Sequence, residues 1–193
     1  INDFFLFYTN LINSNNDHFF YLPFLNDKLQ NNILNELGLK KQYYKFYDVY
    51  NYKYIDFNLT KRQLFKFKFT IKNNFEKFLL KLIPYQIPTI YLEGYNYLKK
   101  ISDNKKYPDN PKTITTATSH YMDDVFKIWC AKKIINGTKL IINQHGGSLG
   151  SSKWVQFEDF SISICDYFVS WGWKNQYKKI IPISSGKIPN LLN

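Results

Sequence analysis

Cysteine is scarce in this sequence: Cys130 and Cys165 are the only two among 193 residues. Both lie in apolar segments and neither belongs to a C-x-x-C pair, which argues against a disulfide scaffold. No apolar run approaches the roughly 18 residues of a membrane span, and the first residues do not have the pattern of a signal peptide. These absences predict a protein of the reducing, cytoplasmic compartment.

Several catalytic signatures are also missing. The sequence has no D-x-D motif, so a metal-bridged nucleotide-sugar site of the usual kind is not expected. It has no Walker A motif and no G-x-G-x-x-G. The three histidines and two cysteines are scattered and do not make a zinc site. We therefore expect neither a metal nor a cofactor.

Acidic residues are few: the sequence has 15 of them against 26 basic residues, and its net charge is +11. Such a surface favours nucleic acid, anionic lipid headgroups or phosphorylated substrates, although an A/T-rich genome also produces an excess of lysine. Residues 43–57 interleave aromatic residues with lysines, a pattern that can stack bases and bind phosphates. No RNA-recognition signature accompanies it. We favour a half-buried surface with snorkelling lysines and expect no nucleic-acid partner.

A polar loop with two prolines, residues 102–111, is the clearest seam in the chain. Before it, residues 1–101 read as an aromatic-rich, mainly helical segment. Helices are predicted over residues 3–12, 26–37, 72–83 and 89–101. The apolar stripe of the third helix is expected to face a core; it consists of Phe75, Phe78, Leu79, Leu82 and Ile83. Glu93-Gly94 predicts a kink or end of the fourth helix, or close packing or a ligand there.

Beyond the seam, residues 102–193 alternate between strand and helix patterns. Strands are predicted over residues 113–118, 139–143, 167–171 and 179–183. Helices are predicted over residues 121–135 and 154–164, the first capped by Ser119 with Asp123 and Asp124 in its first turn. This alternation implies parallel strands with right-handed crossovers. We predict a Rossmann-like parallel α/β sheet flanked by helices.

The segment 139–147 places polar residues directly after a buried strand. Gln144 and His145 follow the strand, and Gly146 and Gly147 allow the backbone to turn and approach a ligand closely. Ligands of open α/β sheets bind at the carboxyl ends of the strands. His145 is therefore the histidine best placed for chemistry. The alternative is a tight turn whose histidine only caps a neighbouring element.

A set of short motifs from residue 88 onward, over about half of the chain, carries a family resemblance. They are Tyr91-Leu92-Glu93-Gly94-Tyr95, Asp123-Asp124-Val125-Phe126-Lys127-Ile128-Trp129, Gly137-Thr138-Lys139-Leu140-Ile141, Gln144-His145-Gly146-Gly147, Gly150, Asp166 and Trp171-Gly172-Trp173. Their order and spacing resemble the transferases of bacterial O-antigen and surface-carbohydrate gene clusters. The resemblance implies one half of a GT-B-like glycosyltransferase fold.

The resemblance also implies the site residues. We expect His145 to be the catalytic base, with Glu158 as the nearby carboxylate. The expected substrate-binding residues are Gln144, Gly146, Gly147, Glu93, Ser119, Asp123, Lys127 and Trp171. The structural alternatives are a solvated Lys127, a packing role for Trp171, and a Glu93 that only caps a helix or pairs with a lysine.

Two positions depart from the family pattern. His120 stands where an aromatic residue is expected after the serine. Phe160-Ser161 stands where a His-Glu pair is expected after Glu158-Asp159. If that pair carries chemistry elsewhere, this chain has lost part of it.

The expected function is transfer of a sugar or polyol-phosphate from a nucleotide-activated donor to a carbohydrate or lipid-linked acceptor, with peripheral contact at the inner membrane face. His145 would accept the proton of the acceptor hydroxyl, and backbone N–H groups after Gly146 would bind a phosphate or carboxylate. Because the chain begins with Ile1 and stops soon after a strand, we expect a fragment that lacks a C-terminal nucleotide-binding domain and is inactive alone. The alternatives are a nucleotide-sugar epimerase and a non-catalytic basic module for nucleic acid or a membrane surface.

Overall fold

The chain divides into two units in the computed structural model, which describes residues 18–36, 38, 50, 52–105, 107–183 and 185. The sheet unit comprises Ile1–Asp48 and Lys106–Asn193, and the inserted unit comprises Val49–Lys105. This division differs from the expected boundary between residues 101 and 102. The reason is that an early strand, which the sequence did not reveal, pairs with a strand more than ninety residues later.

The sheet unit contains five parallel strands in sequential order: β1 His18–Phe20, β2 Thr113–Thr116, β3 Lys139–Asn143, β4 Tyr167–Trp171 and β5 Ile180–Ile183. Register pairs Phe19 with Ile114, Ile114 with Leu140, and Phe168 with Ile180. The predicted parallel α/β sheet is confirmed. Since every strand runs in the same direction, all their carboxyl ends meet at one edge.

Eight helices are described, and they are α1 Asp27–Glu36, α2 Leu59–Gln63, α3 Asn74–Gln86, α4 Thr89–Leu92, α5 Tyr95–Asp103, α6 Ser119–Met122, α7 Asp124–Ile135 and α8 Gln156–Ile164. The predicted helix over residues 121–135 is two helices, because Asp123 is extended and its side chain caps α7 by accepting from the Phe126 N–H. The predicted helix over residues 3–12 lies outside the described residues, as does most of the lysine-aromatic run.

Helices cover both faces of the sheet, because side chains of a strand point alternately to either side. One core joins sheet residues to α7 and α8, and its members include Phe19, Phe126, Trp129, Phe168 and Ile162. The opposite core joins the sheet to α1, and its members include Phe20, Leu29, Ile33, Ile141 and Val169. The helix predicted over residues 26–37 corresponds to α1, whose Leu29 and Ile33 face this core.

A buried ion pair organises the inserted unit. Arg62, the only arginine in the sequence, is 1% exposed. Its Nε and Nη2 atoms donate to the two carboxylate oxygens of Glu93, each at 2.7 Å. Its Nη1 atom donates to the carbonyl oxygens of Pro84 and Ile87, also at 2.7 Å. One side chain thus ties α2 to the end of α3 and to the α4–α5 junction.

The helix predicted over residues 89–101 ends at Gly94, as one of its alternatives anticipated. The helix stops at Leu92, and Gly94 is the N-cap of α5. A Cβ at Gly94 would lie 2.2 Å from Cδ1 of Ile55. Close packing of Ile55 therefore accounts for the glycine.

The apolar stripe of α3 is exposed, so the expectation that it faces a core was wrong. Phe75 is 67% exposed and Phe78 is 59% exposed. Pro84 is the one buried residue of this helix. Periodicity indicates that a helix has an apolar side, but it does not indicate what packs against that side.

None of the helices in the described ranges is long and apolar enough to cross a membrane.

Candidate active site

The candidate site lies at the carboxyl edge of the sheet, where the segments after β2, β3 and β4 meet. Gln144 holds two of these segments together. Its Oε1 accepts from the backbone N–H of Trp171 at 2.7 Å and from Nε1–H of Trp173 at 2.8 Å. Its Nε2 donates to the Leu149 carbonyl at 2.9 Å, and the side chain is buried. Gln144 therefore braces the site through both ends of its amide.

His145 is half-buried next to this brace. Its Nε2 and the hydroxyl of Tyr121 share a hydrogen bond of 3.0 Å. The Tyr121 ring stacks on Phe157 of α8, with ring centroids 5.0 Å apart. The imidazole is thus oriented by a tyrosine that is itself held by packing, which is the arrangement that a positioned acid or base needs.

The backbone after His145 is left-handed over three consecutive residues. The φ angles are +113° at Gly146, +68° at Gly147 and +68° at Ser148. The backbone turn expected at Gly146 and Gly147 thus uses positive φ angles at both residues. The two glycines adopt this conformation without strain, whereas Ser148 carries a cost of about 1–3 kcal/mol that the surroundings must offset.

Glu158 secures the far end of the same loop. Its Oε2 accepts a hydrogen bond from the backbone N–H of Gly150. A Cβ at Gly150 would lie 2.2 Å from Nε1 of Trp173, so the loop backbone lies against that indole. The structure thus places Glu158 at the loop as an anchor, in contact with a backbone group.

Residues 146–150 also match G-x-S-x-G, the pattern of a nucleophilic serine elbow. Such an elbow places the serine on a sharp turn between a strand and a helix. Ser148 lies five residues beyond β3, and α8 begins only at Gln156. The structural context of an elbow is therefore missing.

His120 lies beneath the edge, 4% exposed. Its Nε2 lies 2.8 Å from Oγ of Ser161, and its ring stacks on Phe160 at 6.1 Å. The two departures from the family pattern are therefore in contact with each other. Burial lowers the pKa of His120 to about 4, and the charges of His145 and Lys127 lower it further. His120 is consequently neutral near pH 7.

Asp123 and Lys127 both take part in protein contacts at the start of α7. One carboxylate oxygen of Asp123 accepts from the Phe126 N–H at 2.9 Å, and the other accepts from the Tyr21 hydroxyl at 2.8 Å. The ammonium of Lys127 pairs with Asp124. Its positive charge also lowers the pKa of His120, although burial is the larger cause of that shift.

Ser119 and Trp171 complete the expected set within the sheet unit. Ser119 is 1% exposed, and among the residues that the structure describes its Oγ has no hydrogen-bond partner. Trp171 is half-buried, and a Cβ at Gly146 would lie 3.7 Å from its Cη2. The indole of Trp171 therefore borders the left-handed loop.

Glu93 belongs to the inserted unit, where Arg62 engages both of its carboxylate oxygens. The hydrogen bonds from Arg62 lower the pKa of Glu93 to about 2. Its carboxylate stabilises that unit, with the sole arginine as its partner in place of the lysine that the sequence suggested.

Sequence reasoning missed Tyr121 and Ser161, which contact the two site histidines. Tyr121 offered one signal, since it follows His120 directly in the capping turn. Ser161 offered none, because a serine on a helix that contacts a histidine cannot be told from a solvent-exposed serine by sequence alone.

Within the described ranges, no three His, Cys, Asp or Glu side chains group as metal ligands. The expectation of a reaction without metal stays a prediction.

Comparison with known proteins adds a family. The profile of the LIC12162 family transferase matches residues 2–192. Because the match covers nearly the whole chain, the chain belongs to this family. No curated protein and no solved structure gives a match.

Proposed function

From membership in that transferase family, we propose that the protein moves a sugar or polyol-phosphate from a nucleotide-activated donor to a carbohydrate or lipid-linked acceptor of surface-polysaccharide or O-antigen synthesis. The placement of His145 carries the proposal. It follows β3 at the carboxyl edge, Tyr121 orients it through a 3.0 Å hydrogen bond, and it precedes a left-handed loop. Open α/β sheets bind their ligands at this edge.

The proposed chemistry assigns one role to each of these parts. The acceptor oxygen forms a bond to the transferred group while the bond from that group to the nucleotide phosphate breaks. His145 accepts the proton of the acceptor hydroxyl. The phosphate leaves with the electron pair, and backbone N–H groups of the loop after Gly146 stabilise its negative charge. Glu158 contributes by fixing the loop through Gly150.

The experiment compares variants of the full-length protein in a transfer assay with nucleotide sugars and nucleotide-activated polyols. His145→Ala is expected to lower kcat by about 10²–10⁴ with little change in melting temperature. His145→Gln keeps a hydrogen-bonding group but cannot accept the proton, so its kcat is expected to fall almost as far. Tyr121→Phe frees the imidazole and is expected to lower kcat by a smaller factor.

The matched control is His18→Gln. His18 bonds through Nδ1 to the Thr113 hydroxyl at 2.7 Å, at the start of β1 and away from the carboxyl edge. Its loss is expected to change stability without changing kcat. If His145→Gln mainly raises KM and leaves kcat intact, the imidazole binds the donor and is not the base. A stable, fully active His145→Ala enzyme would falsify the proposal.

The exposed face of α3 favours a second candidate function, which is binding to an anionic membrane surface. Phe75, Phe78 and Leu82 are exposed on this helix, and so are Lys77 and Lys81. Three more lysines precede the helix among exposed apolar residues, whereas Glu76 is the only acidic residue between positions 64 and 86. A basic helix with exposed aromatic side chains is typical of segments that lie in the membrane interface.

Co-sedimentation with vesicles tests this second function. The protein is expected to bind phosphatidylglycerol vesicles, to bind phosphatidylcholine vesicles weakly, and to dissociate as salt is raised. The double variant Phe75→Ser/Phe78→Ser is expected to lose binding, because those rings are exposed and supply the apolar contact. Equal binding by wild type and variant, or binding to nucleic acid in place of vesicles, would reject it.

A further inference from the structure

Three consecutive buried residues after β2 carry side-chain atoms that lack a partner. They are Oγ1 of Thr118, Oγ of Ser119 and Nδ1 of His120. None of these three atoms has a hydrogen-bond partner among the residues that the structure describes. The three side chains are 3%, 1% and 4% exposed. The neighbouring segment after β3 differs, since the amides of Asn143 and Gln144 are bonded within the protein. Three of the seven buried, unsatisfied side-chain atoms among the described residues therefore lie in this one segment at the edge.

The hydrogen bonds of Ser161 determine which nitrogen of His120 carries the proton. Oγ of Ser161 lies 2.6 Å from the carbonyl oxygen of Phe157, which can only accept, so the hydroxyl donates there. A serine has one hydroxyl hydrogen. Its oxygen must therefore accept from His120, whose Nε2 lies 2.8 Å away and carries the proton. In neutral His120 the other nitrogen, Nδ1, is consequently a bare hydrogen-bond acceptor.

A bare acceptor in a buried site is costly unless a donor reaches it. The Phe160 ring stacks on the imidazole and is itself 43% exposed, so His120 lies one side-chain layer below the surface. Its surroundings disfavour protonation, since burial and the charges of His145 and Lys127 all lower its pKa. His120 is therefore suited to accept a hydrogen bond near pH 7 and poorly suited to donate a second one.

We infer that Nδ1 of His120 binds a hydroxyl group of the acceptor substrate, so that the site recognises a polyol or sugar. The inference rests on the proposed function and names the substrate class of the same edge. An acceptor atom selects a ligand that brings its own proton, as a hydroxyl does. An oxyanion without hydrogen offers only acceptors and does not satisfy Nδ1. His120 is thus assigned to the acceptor side, and the left-handed loop is left for the phosphate.

The first test is nitrogen NMR of histidine-labelled full-length protein, with His120 assigned by substitution. The free protein is expected to show the tautomer with the proton on Nε2. Addition of ribitol, a polyol probe, is expected to shift the Nδ1 resonance towards that of a hydrogen-bonded nitrogen. Sulfate, which has no hydrogen to donate, is expected to leave Nδ1 unchanged.

Two variants of His120 separate binding from stability. His120→Gln places an amide nitrogen near the position of Nε2, so it is expected to keep the Ser161 contact and to weaken ribitol binding about tenfold or more. His120→Asn places an amide oxygen near the position of Nδ1. It is expected to retain binding within a few-fold while losing the Ser161 contact and melting earlier. Ser161→Ala is the control for that lost contact alone.

The inference is overturned if the free protein has the proton on Nδ1, if ribitol leaves Nδ1 unshifted up to its solubility limit, or if His120→Gln binds ribitol as wild type does. These readouts do not require turnover. If the NMR and ribitol-binding results are as expected but no transfer is detected, the proposed transfer reaction is contradicted and the hydroxyl subsite is supported. If the protein transfers sugars through His145 but ribitol does not bind at Nδ1, only the subsite is contradicted.

Discussion

Substitution of Glu93 by glutamine tests whether this residue stabilises the inserted unit or binds substrate. The carboxylate accepts two hydrogen bonds from Arg62 at 2.7 Å and one from the backbone N–H of Asn58 at 3.1 Å. A glutamine turns an NH₂ group towards one of these donors and leaves the buried guanidinium without its counter-charge. Removing one partner of a buried ion pair costs about 3–5 kcal/mol. Glu93→Gln is expected to destabilise the inserted unit by about 3 kcal/mol.

The assay must report on the inserted unit by itself. All four tryptophans lie between positions 129 and 173, so their fluorescence follows the sheet unit. Amide hydrogen exchange of residues 52–105 follows the inserted unit and gives its opening free energy. Glu93→Gln is expected to speed exchange there by about a hundredfold.

Two comparisons sharpen this prediction. The double variant Arg62→Met/Glu93→Leu replaces both charges by apolar groups and is expected to be more stable than either single variant. Lys139→Ala breaks the pair with Asp166, in which the lysine side chain is 59% exposed, and is expected to change stability far less than Glu93→Gln does.

The pH dependence has a defined sign. The pKa of Glu93 is lowered from 4.5 to about 2, so its contribution is fully present above about pH 4.5 and is lost as pH falls towards 2. Wild type is expected to lose protection in that range, and Glu93→Gln is expected to lose less. Unchanged exchange in Glu93→Gln, together with weaker substrate binding, would refute the structural role and restore the substrate-binding one.

Three further predictions concern the sheet unit. The pKa of His120 falls from 6.5 to about 4 on folding, so protonation of the unfolded chain destabilises the protein as pH drops through this range. In urea titrations, the free energy of unfolding of wild type is expected to fall by about 2 kcal/mol between about pH 7.5 and pH 5, relative to that of His120→Gln. Equal losses in the two proteins would contradict the shift. Gly147→Val forces a β-branched residue to φ +68° and is expected to cost more than about 1 kcal/mol and to weaken donor binding, whereas a neutral thermal melt would count against it. Gln144→Leu leaves the N–H groups of Trp171 and Trp173 without their acceptor and is expected to cost about 2–4 kcal/mol with altered tryptophan fluorescence, which an unchanged spectrum and midpoint would disprove.

The strands that could be predicted are those with a local signal. Residues 139–143 and 167–171 are short apolar runs between polar turns, and the structure gives β3 and β4 these same bounds. β1 has three residues, and its pairing with β2 depends on a contact more than ninety residues away in sequence. No local pattern contains that information, which is why the sequence does not indicate that residues 18–36 belong with the sheet.

The candidate site was predictable in position more than in the role of each residue. Strand polarity alone places Gln144, His145 and Gly147 at the carboxyl edge, because parallel strands share that edge. Whether an amide there faces a ligand or a neighbouring loop depends on tertiary contacts, and Gln144 faces the indole of Trp173. The burial of Arg62 also depends on tertiary contacts, because a local pattern of basic residues does not indicate which of them is buried.

Hydrogen-bond satisfaction separates the polar residues of the edge into two groups with different meanings. Asp123 and Gln144 are buried, and both polar atoms of each side chain are bonded to protein. A ligand that displaced those hydrogen bonds would have to replace them with equally good ones. Ser119 and His120 are equally buried and carry atoms that no described residue satisfies. A ligand gains most where it supplies a missing partner. The family resemblance gave the catalytic roles to His145 and Glu158, and the unsatisfied Nδ1 atom is the reason that we add His120 to the proposed site.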